Sequence, residues 1–252
     1  MKTKGNPMLF KKPMFLQLTA ALLLAGPIVA VHAAEAGFTM PISLSEADFP
    51  DDIYMDSLAR LPQVQRADLD KAGTEAFDTY VTPGTGYESG LRGPIGAWMN
   101  SPELAQAMFN VRLRVRYESD RDQRLTELAI ISTAREINNQ YEYTAHEPLA
   151  IAAGLEQDII DIVRFRRSFE GNQAIAGFGE TEQVIIKFAR EVISEERVSS
   201  ETFARAIDIF GEEGVMDLSG LIGYYSFVAI TLKAFDVQRP AGSDLLLPVK
   251  IE

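Results

Sequence analysis

The sequence contains no cysteine. That excludes a thiol nucleophile, a Cys-x-x-Cys redox pair and a thiolate metal site. It also excludes disulfides, so the fold must be held by packing alone, which a chain of 252 residues allows. Histidine is nearly as scarce, with only His32 and His146. A metal centre needs at least three protein ligands. Glu142 and His146 have usable i, i+4 spacing, and Glu127 is the only evident third donor, so neither a metal nor another cofactor is expected. Positive charge is also short. With 24 Lys and Arg against 36 Asp and Glu, the formal net charge is −12. Nucleic acid and anionic membrane both need Lys/Arg patches and are disfavoured as partners. No run of like charge is long enough to act as a tail. No G-x-S-x-G elbow supports Ser-His-Asp chemistry, and no G-x-G-x-x-G or P-loop pattern supports a nucleotide. Alternating strand patterns and solenoid repeats are missing too.

What is present reads as a globular protein, 46% apolar and 24% charged. The N-terminus has the anatomy of a secretory leader. Lys2, Lys4, Lys11 and Lys12 make a positive region. Met14 to Val31 is mostly apolar, and small residues offer cleavage at Ala33 or Ala36. Residues 1–33 are therefore expected to be a signal peptide, and the protein to be exported, periplasmic or secreted. An uncleaved anchor is the alternative. Gly26-Pro27 breaks its short apolar core, so no stable membrane span is expected after cleavage.

Residues 34–79 are expected to hold an extended arm and then helices on both sides of Pro62. Val81 to Gly96 carries five glycines and two prolines. It reads as a long surface connection or a substrate wall, with Arg92 as the anion contact of a wall. Ser101-Pro102-Glu103 starts a helix. Asp120 or Asp122 caps the next, which is apolar nearly all round. Asn138-Asn139 breaks the chain before a helix that Gly154 ends. Further helices follow from Glu156, Thr181 and Ser199 or Ser200, with a break at Gly211 and Gly214. Val215 to Phe235 is apolar enough to suggest a membrane span. Asp217 and Lys233 flank a core too short for that, so a buried central helix is the better reading. The expectation is an all-α domain over about residues 80–240, followed by a tail over 241–252.

The chemistry converges on Arg124 to Leu155, RLTELAIISTAREINNQYEYTAHEPLAIAAGL. Glu127 sits among aliphatic residues, where lost hydration should raise its pKa. The alternative is a surface glutamate on the helix's one polar stripe. His146 follows nineteen residues later. Glu142, one turn before it, shares its helix face and would orient the imidazole and raise its basicity. Tyr143 is placed to line the same site. Arg124 and Arg135 flank the buried helix, free to pair with Glu127 or to receive a substrate carboxylate.

This stretch resembles the carboxymuconolactone decarboxylase family, which includes the alkylhydroperoxidase D-like proteins. The resemblance rests on RLTELAII, AREINNQYEYTAHEPLAIAAGL, the upstream GPIGAWMNSPELA and the downstream LIGYYSFVAITLKAF. It covers about Tyr80 to Pro240. It implies a single-domain, all-helical, alkylhydroperoxidase D-like fold and a homo-oligomer, trimeric or hexameric. The peroxidase branch uses Cys-x-x-Cys-x-x-x-His with a glutamate on the preceding helix. Carried across, the histidine is His146 and the glutamate Glu127, while Asn139 and Glu142 occupy the two cysteine positions. A thiol peroxidase is thus the least favoured reading. The decarboxylase branch works without thiols, and its histidine and glutamate positions are retained.

The expected activity is cofactor-free acid–base decarboxylation or isomerisation of a small carboxylated lactone or related acid. His146, Glu127 and Glu142 would carry the proton transfers. Arg124, Arg135, Tyr143 and Asn139 would contact a small anionic substrate. The alternative is an exported, non-catalytic small-molecule-binding protein on the same scaffold.

Overall fold

Helix α4, Gln123–Glu136, is the centre of the molecule. Nine consecutive residues, Thr126 to Ala134, are buried, so every side of the helix must be covered. Helices α5 (Gln140–Ala152), α6 (Gln157–Arg164), α7 (Glu180–Ser194) and α8 (Ser200–Ala234) all pack against it. The computed structural model describes residues 38–39, 45–172 and 174–250. The leader, its cleavage site and the first part of the arm lie outside the described residues. Before α4 come α1 (Lys71–Tyr80), α2 (Gly93–Trp98) and α3 (Pro102–Leu113), which runs into a π-turn at Arg114–Glu118.

Local chemistry sets these boundaries. Asp70 accepts from Gly73 N at 2.8 Å and starts α1. Asp122 accepts from Leu125 N at 2.8 Å and starts α4, as one of the two expected caps. Asn139 Oδ1 accepts from Glu142 N at 3.0 Å and starts α5, and Ser199 caps α8 through Thr202 N at 3.2 Å. Each side-chain oxygen satisfies a backbone donor that the first turn leaves open. Pro102 opens α3 at the position where its missing N–H costs nothing. Gly154, with φ +92°, closes α5 in the left-handed region that glycine adopts freely.

One expectation is corrected. The expected helix before Pro62 is absent, while the one after it is Lys71–Tyr80, preceded by a single 3₁₀ turn at Arg66–Asp68. Ser57 Oγ bonds the Leu61 carbonyl at 2.6 Å and receives the Ala59 N–H at 3.2 Å. Those side-chain bonds take the backbone groups a helix would use, and Pro62 supplies no N–H of its own. The break expected at Gly211 and Gly214 falls at Gly211, whose φ of 67° and ψ of 177° are not helical, so α8 consists of two helical segments that meet at this kink.

α8 is the one helix among the described residues long and apolar enough to cross a membrane, and 56% of its apolar window is buried inside the protein. That agrees with a core helix. Trp98, at the end of α2, ties onto it by stacking on Phe227 at 5.3 Å and donating from Nε1 to Thr231 Oγ1 at 2.8 Å. The C-terminal segment returns across α5. Leu247 N donates to Gln140 Oε1 at 2.7 Å, Gln140 Nε2 donates back to the Leu247 carbonyl at 2.9 Å, and Leu246 N donates to Thr144 Oγ1 at 3.1 Å. Phe38–Thr39 pairs antiparallel with Val249–Lys250.

Candidate active site

Packing α4 against α5 brings Glu127 and His146 together. His146 Nδ1 lies 2.7 Å from Glu127 Oε2. The other Glu127 oxygen accepts from Arg116 Nη2 at 2.7 Å. Arg116 is carried by the π-turn after α3, and its Nη1 donates to the Tyr225 hydroxyl at 2.7 Å. On the far side of the imidazole, Nε2 lies 3.4 Å from Glu142 Oε2. A single chain of groups therefore runs Tyr225, Arg116, Glu127, His146, Glu142. Glu127, Glu142 and His146 are only 3%, 5% and 7% exposed, so the surface-glutamate reading of Glu127 is removed.

The sequence led to a raised pKa for Glu127, and the structure reverses the sign. Burial does oppose its ionisation. The Arg116 and His146 charges, with hydrogen bonds from both, hold the carboxyl below the usual carboxylate range. An ionised carboxylate is acceptor only, so the proton in the short contact sits on His146 Nδ1. Burial likewise works against a charged imidazole. Glu127, by charge and hydrogen bond, and then Glu142 by hydrogen bond, raise His146 above its ordinary value of 6.5. When the imidazole is protonated, its Nε2–H faces Glu142 Oε2 across 3.4 Å.

Glu142 and His146 line a cavity of about 500 Å³, a size typical of small-molecule sites. Its walls come from the 84–87 loop, Arg92, α3 with its π-turn, α5 and α8. The Val81 to Gly96 stretch is thus a cavity wall in part, with Arg92 on it, and continues into helix α2. Arg92, Arg112 and Arg116 all line the cavity, so an acidic protein holds a locally basic site. Five of the eight tyrosines line it too: Tyr87, Tyr117, Tyr141, Tyr224 and Tyr225. A second cavity lies between Arg114 and α8. Its Arg114 is matched by Glu213 and Asp217 at 2.6 Å each, and no histidine reaches it.

Other expected contacts fall elsewhere. Arg124 Nη1 bonds Glu182 Oε1 at 2.6 Å, and Nη2 bonds Glu156 Oε2 and the Gly177 carbonyl, so this arginine fastens α4 to α6 and α7. Arg135 Nε donates to the Arg164 carbonyl at 2.7 Å. Neither lines the cavity. Tyr143 is fully buried and away from the cavity lining, close enough to Glu147 and Arg164 to feel their charges. Asn139 caps α5 and sends Nδ2 toward the Ala229 carbonyl at 3.4 Å. It places Glu142 rather than touching the cavity. Sequence reasoning missed Arg112, Arg116 and Tyr225. The one signal was the spaced run Arg112, Arg114, Arg116 before Tyr117.

No protein-family model matches the chain, and no curated protein matches it. Solved structures do. One is a cysteine-to-alanine variant of the debrominase Bmp8 in complex with 2,3,4-tribromopyrrole, with 16% identity, a TM-score of 0.53, and coverage of 70% of this chain and 89% of that one. Another is an Agrobacterium tumefaciens protein of unknown function, described as a candidate antioxidant defence protein AhpD. It has 16% identity, a TM-score of 0.49, and coverage of 60% of this chain and 99% of that one. The chain shares its helical fold with the debrominase structure, in line with the all-α architecture expected from its sequence. At these identities the likeness is one of fold, and function rests on the site.

Proposed function

We propose that the protein is a cofactor-free acid–base enzyme that decarboxylates or isomerises a small anionic substrate, of the carboxylated lactone or related acid class. The observation that carries this reading is the imidazole of His146, fixed at Nδ1 by Glu127 and presented with Nε2 beside Glu142 on the cavity wall. A histidine held in one orientation by a buried carboxylate, with a second carboxylate at its open nitrogen, is built to hold and deliver one proton. In decarboxylation the bond to the carboxylate breaks, carbon dioxide leaves, and the proton on Nε2 goes to the carbon that keeps the electron pair. That proton stays on the product carbon, and Nε2 is reprotonated from solvent with Glu142 beside it to relay the proton. Arg92 and Arg112, rather than Arg124 and Arg135, are the cations placed to attract the substrate anion. A thiol route is closed because the chain has no cysteine.

The test is a turnover screen with carboxylated lactones, run beside His146→Gln. Loss of turnover in a variant with unchanged fold and oligomeric state supports the reading; wild-type rates in it overturn the reading. A second reading, ligand binding without chemistry, is favoured by the replacement of both motif thiols with Asn139 and Glu142. It predicts ligand-dependent stabilisation with no product. Export and assembly as a homo-oligomer belong to the same proposal, supported by the composition of residues 1–33 and by the resemblance described above.

A further inference from the structure

The Tyr225 hydroxyl is engaged on one side only. Its oxygen accepts from Arg116 Nη1 at 2.7 Å, and no described residue accepts its own hydrogen. The residue lines the cavity, and its ring meets the His146 imidazole edge-to-face at 5.0 Å. A proton donor to oxygen and a proton donor to carbon therefore stand side by side on one wall. Arg116 cannot swing away easily, because its other nitrogen is held by Glu127. A guanidinium donating to a phenol oxygen polarises the phenol and makes its O–H the better donor. Tyr224, the next residue, also lines the cavity but receives no arginine.

We propose that Tyr225, backed by Arg116, is the oxyanion-holding catalytic residue of this site, and that the substrate is a planar conjugated acid whose reaction passes through an enolate. This rests on the acid–base reading of the same cavity. As the carboxylate carbon–carbon bond breaks, its electron pair passes through the α-carbon to a conjugated carbonyl oxygen. Tyr225 donates to that oxygen while His146 protonates the carbon, and carbon dioxide leaves. In an isomerisation the same enolate forms by loss of a proton to the Nε2–Glu142 pair and is reprotonated elsewhere. Fixed donors aimed at the charge that develops are the usual source of large rate effects. Burial keeps the Tyr225 phenol protonated well beyond the ordinary range, so it stays a donor. The tyrosine-rich wall suits flat π-systems over branched aliphatic ones.

Para-nitrophenolate, a stable flat oxyanion with a visible absorbance, is the probe. Full-length wild type should bind it and should not bind nitrobenzene comparably. Tyr225→Phe should weaken binding by about tenfold to a hundredfold, the span for a hydrogen bond to a charged group. Tyr224→Phe should weaken binding less than Tyr225→Phe does, because Arg116 backs the Tyr225 hydroxyl and not that of Tyr224. Equal effects of the two substitutions, or none from Tyr225→Phe in a folded variant, overturn the proposal. A readout without substitution guards against misfolding. Saturating probe should bring out a strongly downfield hydroxyl proton in the wild-type NMR spectrum, and its absence overturns the proposal. The two readings fail separately. Tyr225-dependent phenolate binding without turnover of any carboxylated lactone removes the acid–base reading and leaves the oxyanion donor. Turnover that Tyr225→Phe leaves unchanged does the reverse.

Discussion

His146 Nδ1 lies 2.7 Å from Glu127 Oε2, and both groups are buried where helices α4 and α5 meet. The second Glu127 oxygen is committed to Arg116. The imidazole is thus anchored by a carboxylate that is itself anchored, and its orientation is set before any substrate arrives. Replacing that carboxylate by its neutral isostere separates charge from shape. In Glu127→Gln the His146 pKa should fall by about a unit or more, about 1.4 kcal/mol of lost coupling. NMR titration reads it, with His146→Gln assigning the resonance against His32. An unchanged pKa contradicts the pairing.

The same substitution leaves Arg116 buried without its carboxylate. Removing one member of a buried ion pair costs about 3–5 kcal/mol. Urea denaturation of Glu127→Gln should show a loss of that order, and a midpoint equal to wild type would mean the pair is not formed.

Glu142→Gln should act differently. Glu142 touches Nε2 at 3.4 Å and follows Glu127 among the influences that raise the His146 pKa. Its loss should lower that pKa by less than Glu127→Gln does, yet depress turnover strongly, because the open nitrogen loses its proton partner. The same titration and a rate measurement check both halves.

Stability should carry the signature of the two titrations. The folded His146 pKa is raised, so its contribution is complete below about 6.5 and fades as pH rises through the folded value. The folded Glu127 pKa is lowered, so its contribution is complete above about 4.5 and fades as pH falls through the folded value. The stability gap between wild type and His146→Gln should therefore be widest in weak acid and should narrow on the alkaline side. Denaturation midpoints across that range test it, and a gap that widens with rising pH would contradict the assignment.

Trp98 is the only tryptophan, and its ring meets Tyr224 edge-to-face at 5.9 Å. Tyr224 lines the cavity. Filling the cavity should change Trp98 emission in intensity or wavelength, a saturable signal that needs no label. It should vanish in Trp98→Phe, while ligand affinity measured by calorimetry stays within about threefold, since the volume and stacking on Phe227 are largely retained.

The sequence made the fold legible because each α4 and α5 boundary carries its own chemistry, at Asp122, Asn139 and Gly154. Glu127, Glu142 and His146 were legible because helix spacing and a known motif coincide on them. Arg116 was not. It sits on a π-turn, where the 3.6-residue period that reveals helix faces is interrupted. Tyr225 was hidden inside an apolar run that reads as core. Arg124 and Arg135 were misplaced for the opposite reason. Closeness to Glu127 along the chain says nothing about Glu156, Glu182 or the Arg164 carbonyl, which tertiary packing brings to them. Tyr143 is three residues from His146 but turns toward the protein interior.

Gln140 exchanges two hydrogen bonds with Leu247, 107 residues further on. Read along the direction of synthesis, this means the helix bearing His146 and Glu142 is made well before its last brace. Its outer side waits for backbone that leaves the ribosome only after α6, α7 and α8. A contact of such long sequence separation slows the closing step of folding. The proton-handling groups should thus reach their final geometry late, and a partly synthesised chain should carry its histidine without the setting that gives it a function.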